Sequence, residues 1–342
     1  MRILGIETSC DETTAAVVED GRKILSNVVA SSAKMHEKTG GIIPEQAARQ
    51  QVKSIIPVIE AALSQDMLDS SKIDSIAVTV GPGLIGSLLV GVETAKTLSL
   101  LWKKPVIGVN HLAAHIYANW LETDKEPKFP ALALVVSGGH TDLVLMKDHG
   151  KLAWIGGTRD DAAGEAFDKA ARLLGLPYPG GPAISKEAEK HLAKHPSTKL
   201  NFFPRPMIAE KSFDWSFSGL KTAVLRQTQK SKTKIKKERL AAEIQEAITD
   251  VLVKKTLRAV KKYRPKSLLL AGGVAANNRL RKKFKLKVEN LPASWRVDFR
   301  VPPPNLCTDN ATYIASYAYF NYSPIPWQKV KVNPRLSIAG QV

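Results

Sequence analysis

Over the first thirty residues, hydrophobic and polar positions alternate in short blocks rather than in helical steps. Ile3–Glu7, Thr14–Glu19 and Lys23–Val29 read as three strands, the last two joined by a turn at Asp20-Gly21. The polar loop Thr8-Ser9-Cys10-Asp11-Glu12-Thr13 separates the first two, and its hydroxyls and backbone N–H groups suit the approach of a phosphate. Gly40-Gly41-Ile42-Ile43-Pro44 leads into a helix from about Glu45 to Leu63, which Pro57 is expected to kink or interrupt. Ile76–Val80 reads as a buried strand, followed by a glycine-rich turn, Gly81 to Ser87, and a helix to about Trp102. Pro105–Val109 is a short strand, and a further helix opens at His111.

After the polar, proline-punctuated stretch Glu122–Pro130, the opening pattern returns. Ala131–Val136 is an apolar strand, Ser137-Gly138-Gly139-His140 a tight turn, and Thr141–Met146 and Lys151–Ile155 two more strands. The turn Asp148-His149-Gly150-Lys151 matches Asp20-Gly21-Arg22-Lys23 in kind and place. Two such units about 130 residues apart predict a duplicated lobe, each copy mixed α/β. The expected active site is the cleft between the lobes, with the two polar turns facing each other.

Further along, Asp160–Leu174 reads as a helix with Asp160 or Asp161 as its cap, and Tyr178-Pro179-Gly180-Gly181-Pro182 as a rigid turn. Ser212–Lys221 mixes polar and aromatic residues and matches no template. Leu240–Tyr263 is a long amphipathic helix with Leu240, Ile244, Ile248, Leu252 and Val260 on one stripe. Ser267–Leu270 is a strand entering a Gly272-Gly273 turn. Beyond it Asn277 or Asn278 either caps a helix or bonds a flat ring or ribose. A last helix runs from about Ala311 to Phe320, with Asp309 at its cap position.

Charge changes this picture more than composition does. At 342 residues, with 44% hydrophobic and 24% charged residues, the chain has an ordinary globular balance and room for two lobes. It has no apolar leader or long apolar run, so neither export nor membrane insertion is expected. Two cysteines, Cys10 and Cys307, make no disulfide framework and suit a reducing, cytoplasmic setting. The net charge is +18, and residues 226–287 hold 20 basic and four acidic side chains, a net +16. A field concentrated in this way favours nucleic acid over a merely solvated helix face.

One short motif carries candidate metal chemistry. In His111-Leu112-Ala113-Ala114-His115 a helix places both imidazoles on one face, able to share a divalent ion; packing is the other reading. Zinc proteases place a Glu where this chain has Leu112, so the protease reading lacks its general base. Asp309 either caps the last helix or completes a His/His/Asp set. The glycine-rich turn at 81–87 lacks the Lys-Ser/Thr of a P-loop, and serves an anion or close helix packing.

The chain resembles the bacterial TsaD (Gcp/YgjD) family of tRNA N6-adenosine threonylcarbamoyltransferases. The resemblance rests on Gly5-Ile-Glu-Thr-Ser-Cys-Asp-Glu-Thr13, Gly81-Pro-Gly-Leu, Asn110-His-Leu-Ala-Ala-His115 and Val136-Ser-Gly-Gly-His-Thr141. It continues through Asp161-Ala-Ala-Gly-Glu-Ala-Phe-Asp168, Tyr178-Pro-Gly-Gly-Pro182, Phe217-Ser-Gly-Leu-Lys-Thr222, Gly272-Gly-Val-Ala-Ala-Asn277 and Cys307-Thr-Asp-Asn310. It implies an α/β, actin-like and Hsp70-like ATPase (ASKHA) fold of two duplicated lobes. The expected lobes are residues 1–122 completed by 305–342, and 123–304 containing the basic helical region 226–287.

It further implies one divalent metal per subunit, Fe2+ or Zn2+, on His111, His115 and Asp309. Val135, Val136, Ser137, Gly138 and Gly139, with Asp168, Gly181 and Asn278, would hold threonylcarbamoyl-AMP. Asp11 and Glu12 fall in the first phosphate-loop equivalent as the catalytic candidates. Two places depart from the family pattern: Trp215 stands where Phe is common, and Thr312-Tyr313 replace smaller or Met-like residues, with Tyr313 placed to reshape the metal's surroundings.

The implied reaction is acyl transfer. The N6 amine of the adenosine 3′ of the anticodon, in tRNAs reading codons that start with A, attacks threonylcarbamoyl-AMP, and AMP leaves. Asp11 is the candidate proton acceptor, backbone N–H groups at Ser137–Gly139 would hold phosphate or carboxylate oxygens, and the basic segment would bind tRNA. TsaB-like and TsaE-like partner proteins are implied, and no membrane. A sugar-type kinase of the same fold leaves the paired histidines without a role, a metalloprotease lacks its base, and a non-catalytic nucleic-acid module would need no metal.

Overall fold

The computed structural model describes residues 1–32, 35, 41–65, 67–229 and 235–341; Gly40 of the expected Gly-Gly turn and residues 230–234 of the first basic cluster lie outside them. The chain divides into two compact units. One comprises Met1–Pro127, Lys147–Leu152 and Pro302–Val342, the other Lys128–Met146 and Ala153–Val301.

The first unit is built on a five-stranded sheet of β1 (Arg2–Glu7), β2 (Glu12–Glu19), β3 (Lys23–Ser31), β4 (Ser75–Gly81) and β5 (Val106–Asn110), in the order β3-β2-β1-β4-β5. β1 pairs antiparallel with β2, and β2 with β3, as the meander pattern requires; β4 then lies parallel to β1 and β5 parallel to β4. β4 and β5 are buried at every residue, which is why their sequences run apolar without alternation. Helices α1 (Pro44–Ser64) and α2 (Ile85–Trp102) bury Ile55, Val58, Ile59, Val92 and Ala95 in one cluster with Leu4, Ile6, Ile76 and Val78. A second cluster joins Ile3, Ala77 and Ile107 to Ala114 of α3 (His111–Tyr117) and Tyr313, Ile314 and Ala315 of α9 (Thr312–Phe320).

The second unit repeats this plan. Its strands β6 (Ala131–Val136), β7 (Thr141–Asp148), β8 (Lys151–Gly157), β9 (Ser267–Ala271) and β10 (Asp298–Arg300) lie in the order β10-β9-β6-β7-β8. β6 pairs antiparallel with β7 and parallel with β9, reproducing the relation of β1 to β2 and β4. The matching turns share their conformation too, with φ 68° at Gly21 and 67° at Gly150. Helices α4 (Ala163–Leu173), α5 (Gly180–Lys194), α6 (Ser218–Gln229), α7 (Lys237–Tyr263) and α8 (Asn278–Glu289) complete the unit. The apolar stripe of α7, Leu240 through Val260, is buried, and so are Glu243 and Lys255 on the same helix.

Several local expectations are corrected. Glu12 is the first residue of β2 rather than part of the loop, paired in register with Ser31. α1 runs through Pro57 without a break, because Pro57 lies on the exposed side, where the carbonyl left unaccepted can meet water. Neither Asp160 nor Asp161 caps α4. That helix starts at Ala163, and its first amides are taken by Thr141 Oγ1 at 2.9 Å and by the carbonyls of Ser137 and Gly138 at 3.1 Å. Asp160 instead accepts from Phe217 N at 2.8 Å at the start of α6. The Tyr178–Pro182 stretch is not a free turn but the beginning of α5 at Gly180. Asp309 is not a cap either: Asn310 Oδ1 accepts from Thr312 N at 3.1 Å, which leaves the Asp309 carboxylate available.

The helix Ile85–Trp102 has the length and composition to cross a membrane, yet it carries Glu93 and Lys96 and packs Leu88, Val92 and Ala95 into the core.

Candidate metal centre and substrate pocket

In the first unit, three segments distant in sequence meet at the paired histidines. Asn110 ends β5 and caps α3, its Oδ1 accepting from Leu112 N at 3.1 Å and Ala113 N at 3.2 Å, so the helix starts at His111 and places His115 one turn on. All seven residues of α3 are buried. Asp309, on the loop before α9, brings Oδ1 to 3.3 Å from His115 Nε2 and 3.8 Å from His111 Nε2. The three ligand atoms lie within 4.8 Å of one another. Both imidazoles aim Nε2 at one carboxylate oxygen. Two nitrogens and one oxygen in that arrangement fit a divalent transition metal, and iron and zinc both accept this set.

The motif reading missed Glu7. This carboxylate, at the end of β1 and 1% exposed, holds His111 Nδ1 at 2.8 Å; its oxygens also accept from Thr79 Oγ1 at 2.6 Å and Ser9 N at 2.5 Å. A carboxylate on the far nitrogen of a metal-facing imidazole fixes ring and tautomer. Its sequence signal was faint: a lone Glu ending an apolar strand.

The charges here act on one another. Burial alone would lower the pKa of His111, but Glu7 and Asp309 override it and raise it to about 9. Burial would raise Asp309, yet the two histidines hold it far below the usual carboxylate range. Burial and the neighbouring His111 lower His115.

The catalytic candidates are in the same unit. Glu12 accepts from Ser31 Oγ at 2.7 Å through Oε1, while Oε2 is buried with no partner among the described residues. Burial, with smaller contributions from Asp11 and Asp309, raises its pKa to about 7. The backbone of Asp11 is held by Ser32, whose amide and hydroxyl both donate to its carbonyl. Gln51, a second residue that patterning missed, fastens this loop by donating Nε2 to the carbonyls of Thr8, Cys10 and Glu12 at 3.0–3.2 Å. The glycine-rich turn at 81–87 takes its packing role. Gly83 lies against Ser9, and the amides of Gly83 and Leu84 are bonded to Pro334 O and Ser9 O.

The second unit holds a cavity of about 360 Å³. Four of the predicted binding residues line it: Gly138, Asp168, Gly181 and Asn278. Val135, Val136, Ser137 and Gly139 do not. The two valines are fully buried within β6, and Ser137 is committed to the turn, donating its amide to His140 O at 2.9 Å. Asp168 accepts from Gly180 N at 2.7 Å at the start of α5, and burial raises its pKa. Phe167 and Ser185 line the cavity too, unseen in the sequence. Asn277 caps α8 through Leu280 N and donates to Ser185 Oγ at 2.9 Å and Gln245 Oε1 at 3.0 Å.

The basic segment is partly spent inside the fold. Arg279 pairs with Glu246 at 2.8 Å, and Lys283 with Glu246 and Asp250 at 2.8 and 2.6 Å. Lys255 is fully buried, and Arg258 donates to the carbonyls of Ile208 and Glu210. Lys261 and Arg264 stack over Trp295. Lys254, Lys266, Lys282, Lys285 and Lys287 are exposed to solvent.

Comparison with known proteins places this geometry in context. The TsaD family model, described as tRNA N6-adenosine threonylcarbamoyltransferase, matches residues 23–316. A protein so named from Geobacillus kaustophilus (strain HTA426) is 53% identical over 316 residues, covering 92% of this chain and 89% of its own. Its counterpart in Bacillus subtilis (strain 168) is 51% identical over 319 residues, with 92% and 89% covered. Among solved structures, the (R)-2-hydroxyglutaryl-CoA dehydratase component A of Acidaminococcus fermentans is similar at TM-score 0.55, 16% identity and coverage of 93% and 98%. Full-length HypF is similar at TM-score 0.60, 12% identity and coverage of 94% and 55%. At such identities these structures speak for the fold alone, and that fold is the ASKHA type, with two duplicated mixed sheets flanked by helices.

Proposed function

This chain belongs to the tRNA N6-adenosine threonylcarbamoyltransferase (TsaD) family, and from that premise we propose how its own side chains carry the transfer. The protein is a transferase that modifies tRNA at the N6 of adenosine. The donor is threonylcarbamoyl-AMP, the acceptor is the adenosine 3′ of the anticodon in tRNAs reading codons that start with A, and AMP is released.

An exocyclic aromatic amine is a weak nucleophile, so holding both reactants and stabilising the leaving phosphate supply most of the rate. Gly138, Asp168, Gly181 and Asn278 line a cavity of a size for the donor's nucleoside, with Ser137 and Gly139 shaping the turn beside it. Val135 and Val136 support that turn from within β6. His111, His115 and Asp309 hold one divalent ion, Fe2+ or Zn2+. Bound there, it supplies Lewis acidity toward phosphate and carboxylate oxygens. Asp11 accepts the proton of the attacking amine. Glu12, with a pKa near neutrality, holds the charge balance beside it. The exposed lysines of the basic segment bind the tRNA backbone. TsaB-like and TsaE-like proteins act with the chain, in the cytoplasm.

The convergence of both Nε2 atoms on the Asp309 carboxylate carries this reading, because a sugar-type kinase has no use for it and a protease would need a base at Leu112. A reconstituted assay with purified threonylcarbamoyl-AMP, tRNA and the two partner proteins tests it. Modified adenosine is expected with the native chain, and its absence refutes the proposal. Metal analysis of the His111→Ala, His115→Ala double variant tests the ligand assignment, which unchanged metal content would overturn.

A further inference from the structure

The phenol oxygen of Tyr313 lies among the metal-ligating atoms. The residue occupies the first turn of α9, four residues after Asp309, and its side chain is fully buried. Its Oη lies 3.3 Å from His115 Nε2 and 3.4 Å from Asp309 Oδ1. Its ring lies over that of His115, with centroids 4.4 Å apart and planes inclined by 37°. With His115 Nε2 and Asp309 Oδ1 themselves 3.3 Å apart, the three atoms form a nearly equilateral triangle.

Those spacings distinguish two roles. A phenol that simply donates to a carboxylate closes to about 2.7–2.8 Å, and a buried tyrosine normally finds such a partner. Here both contacts are longer than that by half an ångström or more. Four ligands bound at about 2.0–2.1 Å to a tetrahedral ion stand about 3.3–3.4 Å from one another. Of the six edges of such a tetrahedron, the three among His115 Nε2, Asp309 Oδ1 and Tyr313 Oη have that length, and the edge from His111 Nε2 to Asp309 Oδ1 is longer, at 3.8 Å.

From this spacing we infer that Tyr313 Oη is a fourth protein ligand of the divalent ion, an inference that rests on the metal reading of His111, His115 and Asp309. Coordination exchanges the phenol O–H bond for an oxygen–metal bond, and the proton leaves to solvent. The phenolate and the Asp309 carboxylate together match the charge of a divalent ion. Loading therefore creates phenolate.

The test is a Zn2+ titration of the full chain after chelator treatment, followed by ultraviolet difference spectroscopy and by proton release at constant pH. The native protein is expected to develop one phenolate signal per Zn2+ bound. Tyr313→Phe, which keeps the ring packing, is expected to bind one Zn2+ without that signal, about tenfold or more weakly, releasing one proton fewer. Tyr317→Phe on the same helix is expected to retain the signal. Stoichiometric Zn2+ binding without phenolate, or a signal that survives in Tyr313→Phe, overturns the inference while leaving the triad intact. Zn2+ binding unchanged in the His111→Ala, His115→Ala variant overturns the triad itself.

Discussion

Replacing Glu7 by Gln isolates what the buried carboxylate does for His111. Both Glu7 oxygens act as acceptors, one toward Ser9 N at 2.5 Å and the other toward Thr79 Oγ1 at 2.6 Å and His111 Nδ1 at 2.8 Å. A carboxamide has only one oxygen. If its nitrogen faces Ser9, two donors meet and a buried N–H is left unsatisfied, at about 1–3 kcal/mol. If its nitrogen faces His111, Nδ1 must accept, and the ring proton moves to Nε2, the atom aimed at the metal. Either outcome predicts about 10–100-fold weaker metal binding near pH 9, where the native His111 proton no longer competes, the range found for such carboxylate–histidine partners.

The pH profile sharpens this prediction. With His111 raised to about 9, an ion must displace its proton at any lower pH, so the His111 proton alone makes native affinity climb about tenfold per pH unit until then. In Glu7→Gln the His111 pKa falls back, and the climb ends nearer neutrality. The gap between the proteins is then narrow near pH 7 and widest at pH 9. The metal-free fold responds with the matching sign. A raised histidine stabilises the native state fully below its unfolded value of about 6.5, and the benefit is lost as pH rises through 9. Competition with a chromogenic chelator and thermal unfolding of metal-free protein, both from pH 6.5 to 9.5, measure the two effects. A variant whose affinity tracked the native curve would refute the reasoning.

Three further outcomes follow from other parts of the fold. Gly272 has φ 86°, and a Cβ there would run into the carbonyl of Val136, so Gly272→Ala should cost about 2–4 kcal/mol in urea unfolding; a loss below 1 kcal/mol would contradict this. Lys255 is fully buried and donates Nζ to the carbonyls of Ser212, at 3.1 Å, and Asp214. Lys255→Met should therefore strand both acceptors at about 2–4 kcal/mol, read by the same unfolding measurement. On α8, the triple change of Lys282, Lys285 and Lys287 to Gln should lower the salt slope of tRNA binding by about 2–3, whereas Arg279→Gln, already paired with Glu246, should leave the slope alone and reduce stability. Equal slopes for the two variants would show that exposure does not decide which cations meet the RNA.

Much of the architecture was legible because strand patterns are local. The two meanders announced themselves through short apolar blocks and Asp/His-Gly turns, and their likeness forecast a duplicated lobe, which the structure realises as one sheet order used twice. Helix starts were read less well. Asp160, Asp161 and Asp309 all looked like caps, since a cap is recognised by residue type and position. The amides in question were instead satisfied by the Ser137–Gly138 carbonyls and by Asn310, partners that a sequence does not place. Charge misled in a similar way, because Arg279, Lys283 and Lys255 count toward a basic surface only until their internal partners are seen.

What the sequence determined by itself was the pair of imidazoles, because four residues on a helix set their spacing without help from elsewhere. It also determined the family, through motifs spread over nearly the whole chain. The tertiary structure alone decided what surrounds that pair. Glu7 lies 104 residues before His111, and Tyr313 lies 198 residues after His115. Only the pairing of β1 with β4, and of β4 with β5, brings the strand ends together, and only the packing of α9 on α3 delivers the phenol. Contacts of that sequence separation are fixed by core packing and chain topology, which no local pattern encodes.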